Sequence, residues 1–94
     1  MNTYRVILNA VCDTMGLEAS TPRDQTHEQV EARRMVCALL RDLESWRSER
    51  TGRALGYDGS TVRHHLAQHD DLVGVDLHYR RRYNRAAKRA LSSL

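Results

Sequence analysis

The densest chemistry in the sequence is Asp58-Gly59-Ser60-Thr61-Val62-Arg63, which sets a carboxylate, two short hydroxyls and a guanidinium close together. Groups of this kind hydrogen-bond to nucleobase edges and phosphates. Catalysis needs a converging set, and the neighbouring residues do not offer one. His64 and His65 are adjacent, with no Ser or Cys elbow beside them. Asp70 and Asp71 are also adjacent, so they diverge on a helix and suit a solvated cap better than an acid–base pair. His69 falls on the core side of its helix and reads as a hydrogen-bonded buried histidine. The run Gly52-Arg53-Ala54-Leu55-Gly56 is spaced for packing and turning, not for cradling phosphate. Neither an enzyme nor a small-molecule substrate is expected.

Cys12 and Cys37 stand far apart among apolar neighbours and read as reduced core thiols. The five histidines (27, 64, 65, 69 and 78) add no recognised ligand spacing, so neither a metal nor another cofactor is expected.

The polar hexad needs elements to present it. Ser48 can cap a short helix over 49–55, and Gly56 stands where a helix ends in a left-handed residue. Asp58 can then cap a second helix, accepting from the free N–H groups of Ser60 or Thr61. A helix whose first turn is small and polar can push its N-terminus into a DNA major groove. Ser48–His69 therefore reads as a helix-turn-helix, although many helix–glycine–helix corners never touch DNA.

The rest of the chain must support that pair. Ninety-four residues make one domain, 1–94, which could be the first domain of a longer protein. With 40% hydrophobic and 29% charged residues the chain is not disordered, and one proline without a strand pattern predicts an all-α fold. The expected architecture is a small bundle of about five helices.

The first helix is predicted over about 3–15, capped by Asn2 or Thr3. Its stripe is Val6, Ile7, Ala10, Val11 and Met15, and Gly16 ends it. Pro22 interrupts the following connection. Thr26 to Gln29 has the form of a capping box opening a helix over about 27–44. That helix is apolar on most sides, which makes it the central one. Trp46 reads as a plug between it and the helix-turn-helix pair, with base stacking as the alternative. The second helix of the pair extends to about Val73, with Leu66 and Leu72 on its core side.

Asp76 caps a last helix over about 77–91. Its inner stripe is Tyr79, Tyr83, Ala86, Ala87, Ala90 and Leu91, and Arg80, Arg81, Arg82, Arg85, Lys88 and Arg89 lie outside. Residues 1–76 hold 9 Lys/Arg and 12 Asp/Glu, whereas 77–94 hold 6 Lys/Arg and no acid. Such a helix attracts nucleic acid or another polyanion, or is simply a solvated face or a link to a further region. No apolar run is long enough to span a membrane and no secretory signal is present, so a cytoplasmic location is expected.

Nearly the whole chain, from about Asn2 to Leu91, resembles the C-terminal DNA-binding domain (domain IV) of the bacterial replication initiator DnaA, a relative of the Trp-repressor fold. The family signature has a small residue, a bulky apolar residue three further on, a turn, an Asp-His-Thr-Thr-Val segment and a second His. Here the corresponding stretch runs from Thr51-Gly52-Arg53-Ala54-Leu55 through Asp58-Gly59-Ser60-Thr61-Val62 to His64. Ala32 to Leu43 is similar to the family's central helix, and Asp76 to Tyr83 to the start of its last one.

The resemblance implies that Arg33 touches the DNA backbone, with Arg34 and Arg41 alongside. It implies that Asp58, Gly59, Ser60 and Thr61 enter the major groove, where the Thr methyl can meet a thymine methyl. His64 matches the second histidine, in a packing or backbone-supporting role. Gly59 stands where the family keeps a base-reading histidine, the turn is one residue shorter, and Thr51 replaces an aliphatic residue. The basic segment before the central helix is reduced to Arg23, flanked by Asp24 and Glu28. The initiator's ATPase module is absent, and a different target sequence is implied.

The resulting expectation is sequence-specific binding of double-stranded DNA in the nucleoid. Ser60, Thr61 and Arg63 would read bases, while Arg33, Arg34, Arg41, Arg50 and the start of the 49–55 helix hold phosphates. The expected role is transcriptional regulation of the phage-derived or gene-transfer-agent type, with RNA polymerase or another DNA-bound regulator as a second partner. The alternatives are a replication-origin binder and a protein-interaction module that has lost DNA binding.

Overall fold

The computed structural model describes residues 2–18 and 26–94; Pro22 and Arg23 lie outside the described residues. The described residues form five helices and no strand: α1 (Thr3–Met15), α2 (His27–Glu44), α3 (Ser48–Leu55), α4 (Gly59–Val75) and α5 (Leu77–Ser93). This is the small all-α bundle that the periodicity predicts.

Local chemistry sets most boundaries. The Asn2 side chain accepts from the backbone N–H of Arg5, Thr26 from that of Gln29, and Asp76 from that of Tyr79. Gly16 and Gly56 end α1 and α3 in the left-handed conformation, at φ 70° and 82°. Leu17 then folds back, its N–H on the Cys12 carbonyl at 2.9 Å and its side chain against the core. Ser45 ends α2 with φ 56°, a left-handed position held by a non-glycine residue.

Two boundaries differ from expectation. Ser48 is the first residue of α3, not its cap; Arg47 occupies the cap position and makes no side-chain cap bond. α4 passes through Gly74 to Val75, two residues further than expected. It stops because Asp76 leaves helical geometry, giving its N–H to Leu72 while its carboxylate opens α5.

α2 is the central helix, with Glu31 through Leu40 buried without a break. Its buried side chains share one core with Ile7, Leu8 and Val11 of α1, Leu55 of α3, Val62 of α4 and Tyr79, Tyr83, Ala86 and Ala90 of α5, with α5 packed chiefly against α1 and α4. Each fully buried aliphatic side chain contributes about 1.5–3 kcal/mol. Leu91, expected inside, is 60% exposed, although Ala90 beside it is fully buried. Arg82, expected outside, reaches inward and forms two hydrogen bonds with Glu31 at 2.9 and 2.8 Å, tying α5 to α2.

A polar chain locks α2, α4 and α5 together. Arg41 bridges Asp42 and Asp70, Tyr83 donates to Asp42 at 2.7 Å, and His69 Nδ1 lies 2.6 Å from the Tyr79 hydroxyl. The His69 ring also meets the Tyr83 ring edge-on, with centroids 4.3 Å apart. His69 is thus the buried, hydrogen-bonded histidine that its position predicts.

Candidate nucleic-acid interface

α3 and α4 are joined by Gly56, Tyr57 and Asp58, and the join is tight. The carbonyl of Gly52 accepts from the N–H groups of both Gly56 and Tyr57, each at 2.8 Å. A Cβ at Gly52 would collide with the Tyr57 carbonyl oxygen, so the backbone approach excludes any side chain there. Tyr57 is a peg under the turn: its hydroxyl accepts from Arg33 at 2.6 Å, and its ring tilts against His65. Thr51 and Leu55 from α3 and Val62, His65 and His69 from α4 face the interior.

The opposite face begins with Asp58. One oxygen, Oδ1, accepts from the Ser60 hydroxyl at 2.7 Å and from both the hydroxyl and the backbone N–H of Thr61 at 3.0 Å. These bonds, the Ser60 hydroxyl first, hold the Asp58 carboxyl below the usual range. With their protons turned to Asp58, Ser60 and Thr61 present oxygen lone pairs outward. The start of α4 therefore offers acceptors, which suit exocyclic amino groups of adenine and cytosine.

Arg63, one turn further, is exposed and reaches Glu49 of α3 at 3.4 Å. Both side chains are more than half exposed, so the pair adds little stability. Gly59 lies beneath this pair. A Cβ there would come within 3.1 Å of the Arg63 guanidinium and 3.4 Å of Glu49 side-chain carbons.

Arg50 is exposed and stacks its guanidinium on Trp46, 4.0 Å from the ring centroid. Trp46 itself packs against the core, as a plug would. With Ser45, Arg47, Glu49 and Arg53 these two residues line a hollow of about 490 Å³ at the start of α3. Arg47 and Arg53 are both exposed, and their side chains make no ion pair or hydrogen bond among the described residues. Sequence reasoning passed over them, although the Arg47-x-x-Arg50-x-x-Arg53 spacing sets all three on one side of α3.

The three arginines of α2 have other duties. Arg33 is 4% exposed and is spent on Tyr57 and the Gln29 carbonyl. Arg34 is 9% exposed, donates to Gln68 of α4 at 3.3 Å, and keeps a buried Nε without a partner. Arg41 grips Asp70 in a two-point contact and holds Asp42 at 2.8 Å through Nε. The Asp70 bonds come first among the causes that raise its basicity. The structure thus groups Arg50, Asp58, Gly59, Ser60, Thr61 and Arg63 along the α3–α4 face. Arg33, Arg34 and Arg41 instead face α4 and the turn, and Arg23 lies outside the described residues.

Among the described residues no cluster of three or more His, Cys, Asp or Glu side chains could hold a metal, and no helix is long and apolar enough to cross a membrane. Comparison with family models, characterised proteins and solved structures gives no match.

Proposed function

We propose that the chain binds double-stranded DNA sequence-specifically, with α3 and α4 as a helix-turn-helix and the first turn of α4 in the major groove. The observation that carries this reading is the α4 N-terminus. It is small, polar and open, and its angle to α3 is set by the close backbone approach at Gly52. Ser60, Thr61 and Arg63 read base edges, with Asp58 orienting the two hydroxyls. Arg47, Arg50 and Arg53 hold phosphates beside them. Arg33 serves the interface as a positioning residue, through Tyr57.

The role that fits is transcriptional regulation, of the kind carried by phage-derived or gene-transfer-agent regulators, with the nucleoid as its location. RNA polymerase or a neighbouring DNA-bound regulator would be the second partner. The resemblance to the DnaA DNA-binding domain supports the reading, and Gly59 points to a target other than the initiator's. Origin binding is the neighbouring possibility, separated by where the target lies in the genome.

In vitro selection from random duplexes tests the proposal. An enriched motif is expected, with an affinity whose logarithm falls against log salt by about 0.9 per phosphate contacted. An interaction module without DNA binding is the second reading. It is favoured by the internal engagement of Arg33, Arg34 and Arg41, which leaves fewer cations for phosphate. Absence of both an enriched motif and low-salt duplex affinity would overturn the DNA reading and leave this one standing.

A further inference from the structure

Away from α3, a groove of about 640 Å³ runs between α1 and α5. Its floor includes Val6 and Ala10, apolar residues only 5% and 6% exposed. Its α5 wall carries Arg85, Lys88 and Arg89, and Asp13 faces them from α1. The three cations are exposed and have no hydrogen-bond or ion-pair partner among the described residues. Their situation differs from that of Arg80 and Arg82, whose guanidinium groups reach the Val73 carbonyl and Glu31.

We propose that this groove is a protein-docking surface for an acidic amphipathic segment. Carboxylates of the partner meet Arg85, Lys88 and Arg89, and an apolar side chain settles toward Val6 and Ala10. Charge complementarity commits the site to this occupant. Residues 77–94 carry 6 Lys/Arg and no acid, so acidic side chains relieve a repulsion that nothing within α5 relieves. A second copy docked groove to groove would bring like charge to like charge. A DNA backbone would meet the carboxylate of Asp13 and would leave the apolar floor unused, since phosphates carry no group to fill it. The site does not depend on DNA binding. If both readings hold, the chain reads duplex with α3–α4 and presents α1–α5 to a partner.

The test is a titration of the isotopically labelled full chain, at low salt, with a synthetic helical peptide carrying Leu on one face and Glu around it. Amide shifts are expected along α1 and α5. The same peptide with Gln for every Glu, and the Arg85→Gln/Lys88→Gln/Arg89→Gln variant with the original peptide, should each bind about tenfold or more weakly. The three side chains are exposed, so the variant should keep its melting temperature, and the duplex motif it selects should not change. Three results would overturn the proposal. One is the absence of α1 and α5 shifts. Another is equal binding by a peptide with Ser in place of Leu, which would make the groove a general polyanion surface. The third is a random duplex that shifts the same amides more strongly and binds the variant less well, which would make it a phosphate surface.

Discussion

The α-carbon of Gly52 faces the carbonyl oxygen of Tyr57 so closely that no side chain fits between them. The whole α3–α4 corner depends on this approach, because the atom in the way is backbone and cannot swing aside. Gly52→Ala should therefore destabilise the fold by about 1–3 kcal/mol, as overpacking does. Gly59→Ala meets only the ends of two exposed, flexible side chains and should change stability by no more than about 0.5 kcal/mol. Urea denaturation of the two variants gives the comparison.

The arginines divide into two groups that binding and stability assays can separate. Arg34→Ala empties a buried site and deprives Gln68 of its donor, so a loss of about 2 kcal/mol of stability is expected. Arg50→Ala and Arg53→Ala should leave stability within about 0.5 kcal/mol. If these two hold phosphates, each should weaken duplex binding evenly across sequences and lower the salt slope by about 1.

Thr61 donates its hydroxyl to Asp58, so its methyl can be removed without losing the cap. Thr61→Ser should keep the melting temperature and relax preference for thymine at one position of the selected motif. Ser60→Ala or Arg63→Ala should change preference at other positions. Motifs identical to the parent's in all three variants would show that the first turn of α4 does not read bases.

Acid should weaken the fold in two stages. Burial, followed by the charge of Arg34 at His65 and of Arg41 at His69, lowers both histidines from their usual value, although Asp42 and Asp70 pull His69 the other way. A group whose folded pKa is depressed stabilises the fold fully above its unfolded pKa, so this contribution declines as pH falls below about 6.5. A second loss follows below about pH 4. There Asp70, lowered by Arg41, takes up a proton, as does Asp42, where burial pushes up most strongly of any single cause but is outweighed by the hydrogen bonds from Arg41 and Tyr83 and the nearby positive charge together. Unfolding free energies across pH should show both declines, and Asp70→Asn should flatten the lower one while deepening the upper, because Asp70 no longer holds His69 up.

Both cysteines should resist thiol reagents in the native state. Burial pushes the Cys37 thiol up to about 12, and burial with the nearby Asp13 raises Cys12. Since the thiolate is the reactive form, labelling at about pH 8 should proceed only as fast as the chain opens. Rapid labelling of folded protein by dithionitrobenzoate would contradict this placement.

Features that depend on near neighbours were legible before any folding was considered. The helix starts at Thr26, Asp58 and Asp76, and the stops at Gly16 and Gly56, follow from one side chain and the next turn of backbone. The central place of α2 was also legible, because a helix apolar on most sides has to be covered on most sides. The small polar hexad at 58–63 could be read as an open helix start for the same local reason. Arg33, Arg34 and Arg41 could not be resolved in that way. Spacing shows that they share a side of α2, but whether that side meets solvent depends on Tyr57, Gln68 and Asp70, which lie 24 to 34 residues on. Leu91 and Arg82 differ from expectation for the same reason. A helical wheel gives the direction of a side chain, while what other elements place there, such as the Glu31 carboxylate that draws Arg82 inward, decides whether it is buried. Only the packing of one helix on another set those distances, and with them which cations are spent on the fold and which remain for a partner.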